Sequence, residues 1–384
     1  MNPPAVTGHP QQIRRILARG VNWIGDSIMT TPAMMRMRER FPEAHIALLA
    51  PEKLGELWLH HPAVNEIISC PAGQGLFSVA RALRAGNFEL ALILPNSPRS
   101  ALETWLARIP ERVGYARRWR NWFLTRAVPT RPGHTPTVKR SAREIRDLVG
   151  GATLGTRIVN RQSSIANPPV HQIHEYLQLV ATLGASPEPV APQLFVTPGE
   201  VEAARDKFGL SGTKEPVFGL NPGAEYGPAK RWPLERFIAA ARDIQTRTHC
   251  VWLIFGGKSD VAAGERLHLA LGASRSASQN LAGRTSLREL CALLKTCRVL
   301  LTNDSGPMHV AAALGTPVVA PFGSTSPELT GPGLPGDPRH HLLKSDAPCS
   351  PCFLRRCPID FRCMNGIAVD RVVGAVLEAA SENS

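Results

Sequence analysis

Short apolar runs alternate with amphipathic stretches along nearly the whole chain. In the first half, strand-like Arg15–Arg19, His45–Leu49, Glu66–Ser69 and Leu90–Leu94 are separated by 3.6-periodic segments at Ser27–Arg40, Lys53–His60, Leu76–Ala85 and Ser100–Ala107. Strands spaced by helical patterns of this length predict βαβ units, and so a parallel sheet with helices on both faces. Residues 110 to 165 break the pattern, and a helix is predicted over His171–Leu183. The proline-rich stretch GASPEPVAPQ then reads as an interdomain linker. The alternation restarts at Val217–Leu220 and continues through helix Leu234–Arg247, strand Val251–Phe255 and helices Ala262–Leu271 and Leu287–Lys295. Strand Arg298–Thr302, helix Gly306–Leu314, strand Pro317–Pro321 and helix Arg371–Ala380 complete it. The division expected is 1–185 for an N-terminal domain, 186–368 for a C-terminal domain, and 369–384 for a terminal helix free to pack back on the first. In doubly wound sheets ligands bind outside the carboxyl ends of the strands, so with two such domains the expected site is the cleft between them.

A length of 384 residues suits two cores, and 43% hydrophobic with 20% charged residues suits an ordinary globular protein. The N-terminal MNPPAVTGHPQQIRR has no apolar signal core and no apolar run approaches a bilayer span, so a cytoplasmic location is expected. The net charge of +13 admits nucleic acid, anionic lipid or a phosphorylated substrate as partner. No nucleic-acid-binding module is recognisable, so nucleic acid is not expected. Between Arg108 and Asp147 eleven Lys and Arg face three acids, and RRWRNWFLTR interleaves them with aromatics. Arg117, Arg118, Trp119, Arg120 and Trp122 are therefore candidates for an acceptor or membrane surface, with a solvated basic loop as the alternative.

Several motifs fail on inspection. FGGKSD carries a Gly-Lys-Ser, but Trp252 stands where a P-loop needs its first glycine. No G-x-G-x-x-G follows the first strand and no G-x-S-x-G occurs. Cys349, Cys352, Cys357 and Cys363 have the spacing C-x2-C-x4-C-x5-C, which leaves zinc, a labile disulfide or reduced thiols open.

Other motifs converge on strand ends. In RGVNWIGDSIMTTP, Gly25 and Asp26 stand where the first strand gives way to a helix, and Asp26 suits a helix N-cap or a general base. NPGAEYGPAKRWP, with Gly223, Ala224 and Lys230, follows the strand at 217–220 and reads as a surface loop or an anion site. In NDSGPMHVAAALG, Asp304 and Ser305 are capping types, and Gly306 lets a ligand approach the start of a helix whose dipole favours phosphate. An acid there suits a sugar hydroxyl, so the mixed polarity points to a nucleotide sugar. Gly256 and Gly257 in FGGKSD, and the segment NLAGRTSL, add two more turns on the same edge.

Together NWIGDSIMTTP, NPGAEYGPAKRWP and TNDSGPMHVAAALGTPVVAPFGSTSPELTGP resemble glycosyltransferase family 9, the bacterial heptosyltransferases, over roughly residues 15 to 380. GAEYGPAKRWP and the late CSPCFLRRCP are most similar to members that extend an already heptosylated lipopolysaccharide core. The resemblance implies an α/β GT-B architecture, two Rossmann-like doubly wound domains facing across a cleft. It implies inverting transfer of heptose from ADP-heptose to the first heptose on Kdo-lipid A, at the cytoplasmic face of the inner membrane. A family member with a Kdo acceptor is the close alternative, and a sugar-nucleotide epimerase of similar fold a more distant one. By the same resemblance Asp26 is the base, Lys230 lies near the donor phosphates and sugar, and Asp304 faces sugar hydroxyls. Ser305, Gly306 and His309 stand at the phosphate-facing helix start, and Thr285 and Leu287 near adenine. No metal or other cofactor is required on this reading, a divalent cation being at most a stimulant.

Overall fold

A computed structural model describes residues 13–131, 138–150, 170–274 and 276–381. The first twelve residues and parts of the 110–165 stretch lie outside the described residues. Two units emerge, one comprising Met1–Asn22, Thr30–Arg131 and Ile173–Pro189, the other Trp23–Met29, Pro132–Gln172 and Val190–Ser384. The chain passes into the second unit for the last time at Val190, within GASPEPVAPQ.

The first unit holds β1 (Arg15–Arg19), β2 (His45–Pro51), β3 (Glu66–Cys70), β4 (Leu90–Ile93), β5 (Glu111–Tyr115) and β6 (Arg126–Val128). All pair in parallel in the order β3-β2-β1-β4-β5-β6, with Leu17 opposite Ala47 on one side and Ala91 on the other. Strands β1, β2 and β4 are almost continuously apolar because both faces are covered. The order reverses between β1 and β4, the switch point at which such sheets open a crevice. Strands β5 and β6 fall in the stretch without predicted pattern, since β6 has only three residues and two of them are not buried.

The second unit repeats the plan with β7 (Val217–Asn221), β8 (Val251–Ile254), β9 (Ser278–Asn280), β10 (Leu300–Thr302), β11 (Val318–Pro321) and β12 (His340–Leu343). Their order is β12-β11-β10-β7-β8-β9, again all parallel. Its core packs Phe218 edge-on against Trp252, and Trp232 against Phe237. Helix Val369–Ser381 follows the second unit's last strand and belongs to that unit. It lays Val372, Val373 and Val376 into the second unit's core beside helix Leu234–Thr248. The helical spacing of its valines and alanines gives one apolar face, and Phe237, Ala240 and Ile244 supply its counterpart.

The predicted helix Ser27–Arg40 is two helices, Ile24–Met29 and Thr31–Arg40. Pro32 fits the first turn of the second but cannot donate to a continuing helix, so the break at Thr30 follows from its ring.

One buried ion cluster stands out in the first unit. The Glu103 carboxylate is fully buried and accepts from Arg19 Nε at 3.0 Å and Arg99 Nε at 2.9 Å. Removing one partner of such a pair leaves an uncompensated buried charge. Glu103→Ala is expected to destabilise the first unit by about 3–5 kcal/mol, read as a lower urea midpoint.

Candidate functional site

Three strand ends of the second unit build the site. Asn221 closes β7 and is buried, and its Nδ2 donates to Thr302 Oγ1 and Ser305 Oγ, both at 3.0 Å. Asn303, just after β10, accepts from the Trp232 backbone N–H at 2.8 Å and donates to Pro222 O at 2.7 Å. These two asparagines tie the 221–233 loop to the 302–305 turn. The tie holds Lys230 against Asp304, with Nζ 2.6 Å from Oδ2 and only 14% and 4% of the two side chains exposed. Thr325, in the loop after β11, donates its hydroxyl to the same Asp304 oxygen.

Lys230 also lies over the Tyr226 ring, 4.9 Å from its centroid. Tyr226 Oη donates to Phe353 O at 2.8 Å, and Ala229 N–H to Arg355 O at 3.1 Å. Gly227 has φ 151°, and a Cβ there would stand 2.5 Å from Arg355 O, so only glycine lets the two segments meet. The cysteine-rich segment thus backs the lysine loop. All eight cysteines are free thiols, and among the described residues no group of three His, Cys, Asp or Glu is placed to hold a metal. Burial, with its cysteine neighbours, pushes the Cys363 thiol up to about 12.

Helix Gly306–Ala313 starts at this cluster. Neither Asp304 nor Ser305 caps it: no side-chain cap bond forms, because Ser305 Oγ accepts from Asn221 and Asp304 faces Lys230. Helix Ile24–Met29 packs on it so closely that a Cβ on Gly25 would stand 2.8 Å from His309 Cδ2. A Cβ on Gly306 would stand 3.0 Å from Ile24 Cβ. These two glycines therefore serve helix packing. Asp26 lies within the first turn of its helix rather than at the N-cap, is half-buried, and accepts from Gln172 Nε2 at 3.4 Å. His309 is buried, and burial pushes its imidazole down to about 4 against the pull of Asp304.

Gly223 and Gly256 do not form an open cradle. The Asp260 carboxylate occupies that place: a Cβ on Gly223 would meet its Oδ2 at 2.4 Å and one on Gly256 its Cβ at 2.7 Å. Asp260 Oδ2 accepts from Gly257 N–H at 3.0 Å, and Oδ1 pairs with Arg231 at 3.4 Å. Ala224 is buried and its carbonyl accepts from Arg231 at 3.4 Å. Thr285 and Leu287 flank Ser286, which caps helix Leu287–Thr296 with a full capping box. Neither makes a described bond to the Lys230–Asp304 cluster. Asn221, Asn303, Tyr226, Asp260 and Thr325 were not singled out in the sequence. The Asn pair had the one available signal, a polar residue at each of two adjacent strand ends.

In the first unit Arg118, Trp119 and Trp122 are exposed, with the Arg118 guanidinium 5.4 Å from the Trp119 ring centroid. Arg117 is half-buried and donates to Ala116 O and Thr130 Oγ1. Arg120 is not a surface residue. It is 0% exposed because Gly114 on β5 leaves a notch that its guanidinium fills.

Asn303→Ala removes two buried hydrogen bonds, a loss of about 1–3 kcal/mol. Amide exchange at Trp232 is expected to accelerate at least about tenfold while strand amides hold. Neutral His309, held near 4 in the fold and near 6.5 when unfolded, contributes stability above pH 6.5 that is lost as pH falls toward 4. In His309→Gln the fall of unfolding free energy across that window should be shallower by up to about 1.4 kcal/mol per pH unit.

Known proteins resemble the chain in both sequence and fold. The glycosyltransferase family 9 (heptosyltransferase) profile matches residues 76–154 and 150–361. The chain is 34% identical over 332 residues to lipopolysaccharide heptosyltransferase 2 of Escherichia coli K12, covering 83% of this chain and 85% of that one. It is 32% identical over the same length to the enzyme of that name from Salmonella typhimurium, with the same coverage. The solved E. coli ADP-heptose lps heptosyltransferase II superposes with a TM-score of 0.74 at 26% identity, over 96% of this chain and 99% of that one. Two parallel six-stranded α/β units and these likenesses agree: the chain is a GT-B enzyme and belongs to glycosyltransferase family 9, the heptosyltransferases.

Proposed function

We propose that this glycosyltransferase moves a heptose from ADP-heptose to the heptose of heptosyl-Kdo-lipid A, with inversion at the anomeric carbon. The observation that carries the reading is the buried Lys230–Asp304 pair at the start of helix Gly306–Ala313, with the Asp26 helix packed on that helix. It supplies a cation and helix N–H groups for a diphosphate, an acid for sugar hydroxyls, and a second carboxylate for a proton.

On this reading the acceptor hydroxyl oxygen attacks the anomeric carbon while Asp26 takes its proton. The bond from that carbon to the diphosphate oxygen breaks, and ADP leaves with the electron pair. Lys230 and the uncapped helix start meet the charge that grows on the diphosphate, so no metal is needed for that step. Asp304 holds Lys230 in place until the donor phosphates compete for it. His309, kept neutral, adds no competing charge to the helix start.

The reaction is proposed to run at the cytoplasmic face of the inner membrane with the protein bound peripherally. Among the described residues no helix is long and apolar enough to cross a membrane. Exposed Trp119 and Trp122 beside Arg118 suit an anionic interface, with indole in the headgroup layer and guanidinium on phosphate.

The test is ADP release from ADP-heptose with heptosyl-Kdo-lipid A, with Kdo-lipid A, and with no acceptor. Release with the heptosylated lipid alone supports the proposal. Release with unheptosylated lipid would replace the acceptor, and release without any acceptor would replace the reaction. Asp26→Asn is expected to retain donor affinity and to lose at least about a hundredfold in kcat, the scale of general-base catalysis. Lys230→Ala should raise donor KM and lower kcat together, and unchanged donor kinetics would remove its phosphate role.

A further inference from the structure

A second cation shares the Tyr226 ring with Lys230. The Arg355 guanidinium lies over that ring, 5.2 Å from its centroid, against 4.9 Å for the Lys230 ammonium. The ring attracts each cation, but two cations drawn to one ring repel each other. Lys230 has a carboxylate to offset this, Asp304. Arg355 has none: it is exposed, and its side chain makes no ion pair or hydrogen bond among the described residues.

The main chain of Arg355 is nonetheless fixed. Its carbonyl accepts at 3.1 Å from the N–H of Ala229, the residue before Lys230, and the Phe353 carbonyl accepts from Tyr226 Oη at 2.8 Å. Gly227 makes room for the contact, since a Cβ there would stand 2.5 Å from Arg355 O and 3.2 Å from Arg355 Cβ. The cysteine-rich segment is therefore seated on the lysine loop at Tyr226, Gly227 and Ala229. From that seat it carries a guanidinium to the lysine's ring and leaves the donors of that guanidinium to solvent.

Charge says what this combination fits. On the proposed reaction the donor frees Asp304 from Lys230, which leaves two cations beside one ring with no carboxylate between them. Two cations match the two charges of a diphosphate ester. When the bond to the sugar breaks, the diphosphate gains a further negative charge. A guanidinium that reaches two oxygens at once meets that charge without a metal.

We infer that Arg355 is a donor-binding residue, a second cation that closes its guanidinium over the diphosphate engaged by Lys230. The cysteine-rich segment then does more than hold the lysine loop, because it delivers this arginine. The inference rests on the proposed reaction for the identity of the donor.

The experiment measures ADP and adenosine affinity by calorimetry for wild type, Arg355→Met and Arg355→Lys, with donor and acceptor KM in parallel. Arg355→Met keeps an apolar stem over Tyr226 and removes the charge. It should weaken ADP binding about tenfold or more and raise donor KM with it, while adenosine affinity and acceptor KM hold. Its ADP affinity should also respond less steeply to added salt than that of wild type. Arg355→Lys keeps the charge but loses the fork, and should fall between the two. Unchanged ADP affinity in Arg355→Met would overturn the inference. An equal loss for adenosine, which has no phosphate, would overturn it too and make Arg355 a packing residue. A raised acceptor KM with ADP affinity intact would overturn it by placing Arg355 on an acidic group of the acceptor. Wild type that binds no ADP would overturn the proposed donor and this inference together. Wild type that binds ADP but releases none from ADP-heptose with heptosyl-Kdo-lipid A would overturn the proposed reaction alone.

Discussion

A lysine and an aspartate that are both nearly buried hold the second unit's strand-end loops in one arrangement. Lys230 and Asp304 come from loops at the ends of β7 and β10, far apart in sequence. A buried pair of this kind is weak evidence of stability, because desolvating two charges offsets much of their attraction. What it fixes is position. With Asn221 and Asn303 bonding across the same two loops, the ammonium has little freedom to choose another partner. On the proposed reaction, a diphosphate arriving at the helix start competes for it by charge and frees Asp304 for hydroxyl groups. In the resting protein the carboxylate thus occupies the cation that the proposed donor would take.

The cysteine-rich segment belongs to the same scheme. Its carbonyls at Phe353 and Arg355 receive Tyr226 and Ala229, so it props the lysine loop from behind. Cys349 and Cys352 pack with Ile145 in a small apolar cluster, and burial raises both thiols. A thiol so placed behaves as a small hydrophobe. Packing accounts for Cys349, Cys352 and Cys363, and what their segment supports is the geometry of Lys230.

Much of the fold was legible because its central strands are buried on both faces and read as apolar runs. Strands β1, β2, β4, β7 and β8 were placed within about two residues, the usual uncertainty of element boundaries. The strands missed are those without that signal: β5 opens on Glu111 and Arg112, β6 and β9 have three residues each, and β12 begins with two histidines. Lys230, Asp304 and Asp26 could be named as candidates because each is a charged residue in the connection that follows an apolar strand. Their reasons were less legible. Asp26 was weighed as an N-cap, yet its helix starts two residues earlier, and Gly223 and Gly256 yield to Asp260 rather than to a ligand. No local pattern tells a glycine that admits a substrate from one that admits a side chain distant in sequence. Arg120 shows the same limit, since RRWR is a basic run and nothing in it marks which arginine turns inward.

The two glycines between helices Ile24–Met29 and Gly306–Ala313 have a consequence for catalysis. Gly25 lies against the His309 ring and Gly306 against Ile24, so neither helix can slide without losing close contact. Asp26 is the next residue after Gly25, and its place is set by the helix whose first turn faces Lys230 and Asp304. Residues 23 to 29 accordingly group with the second unit although β1, which leads into them, belongs to the first. The proposed base and the proposed phosphate-binding cation are thus held within one unit by side-chain packing. For the proposed displacement, the separation of Asp26 from Lys230 is then set by the packing of these two helices, which is the condition for it to proceed from a pre-formed geometry.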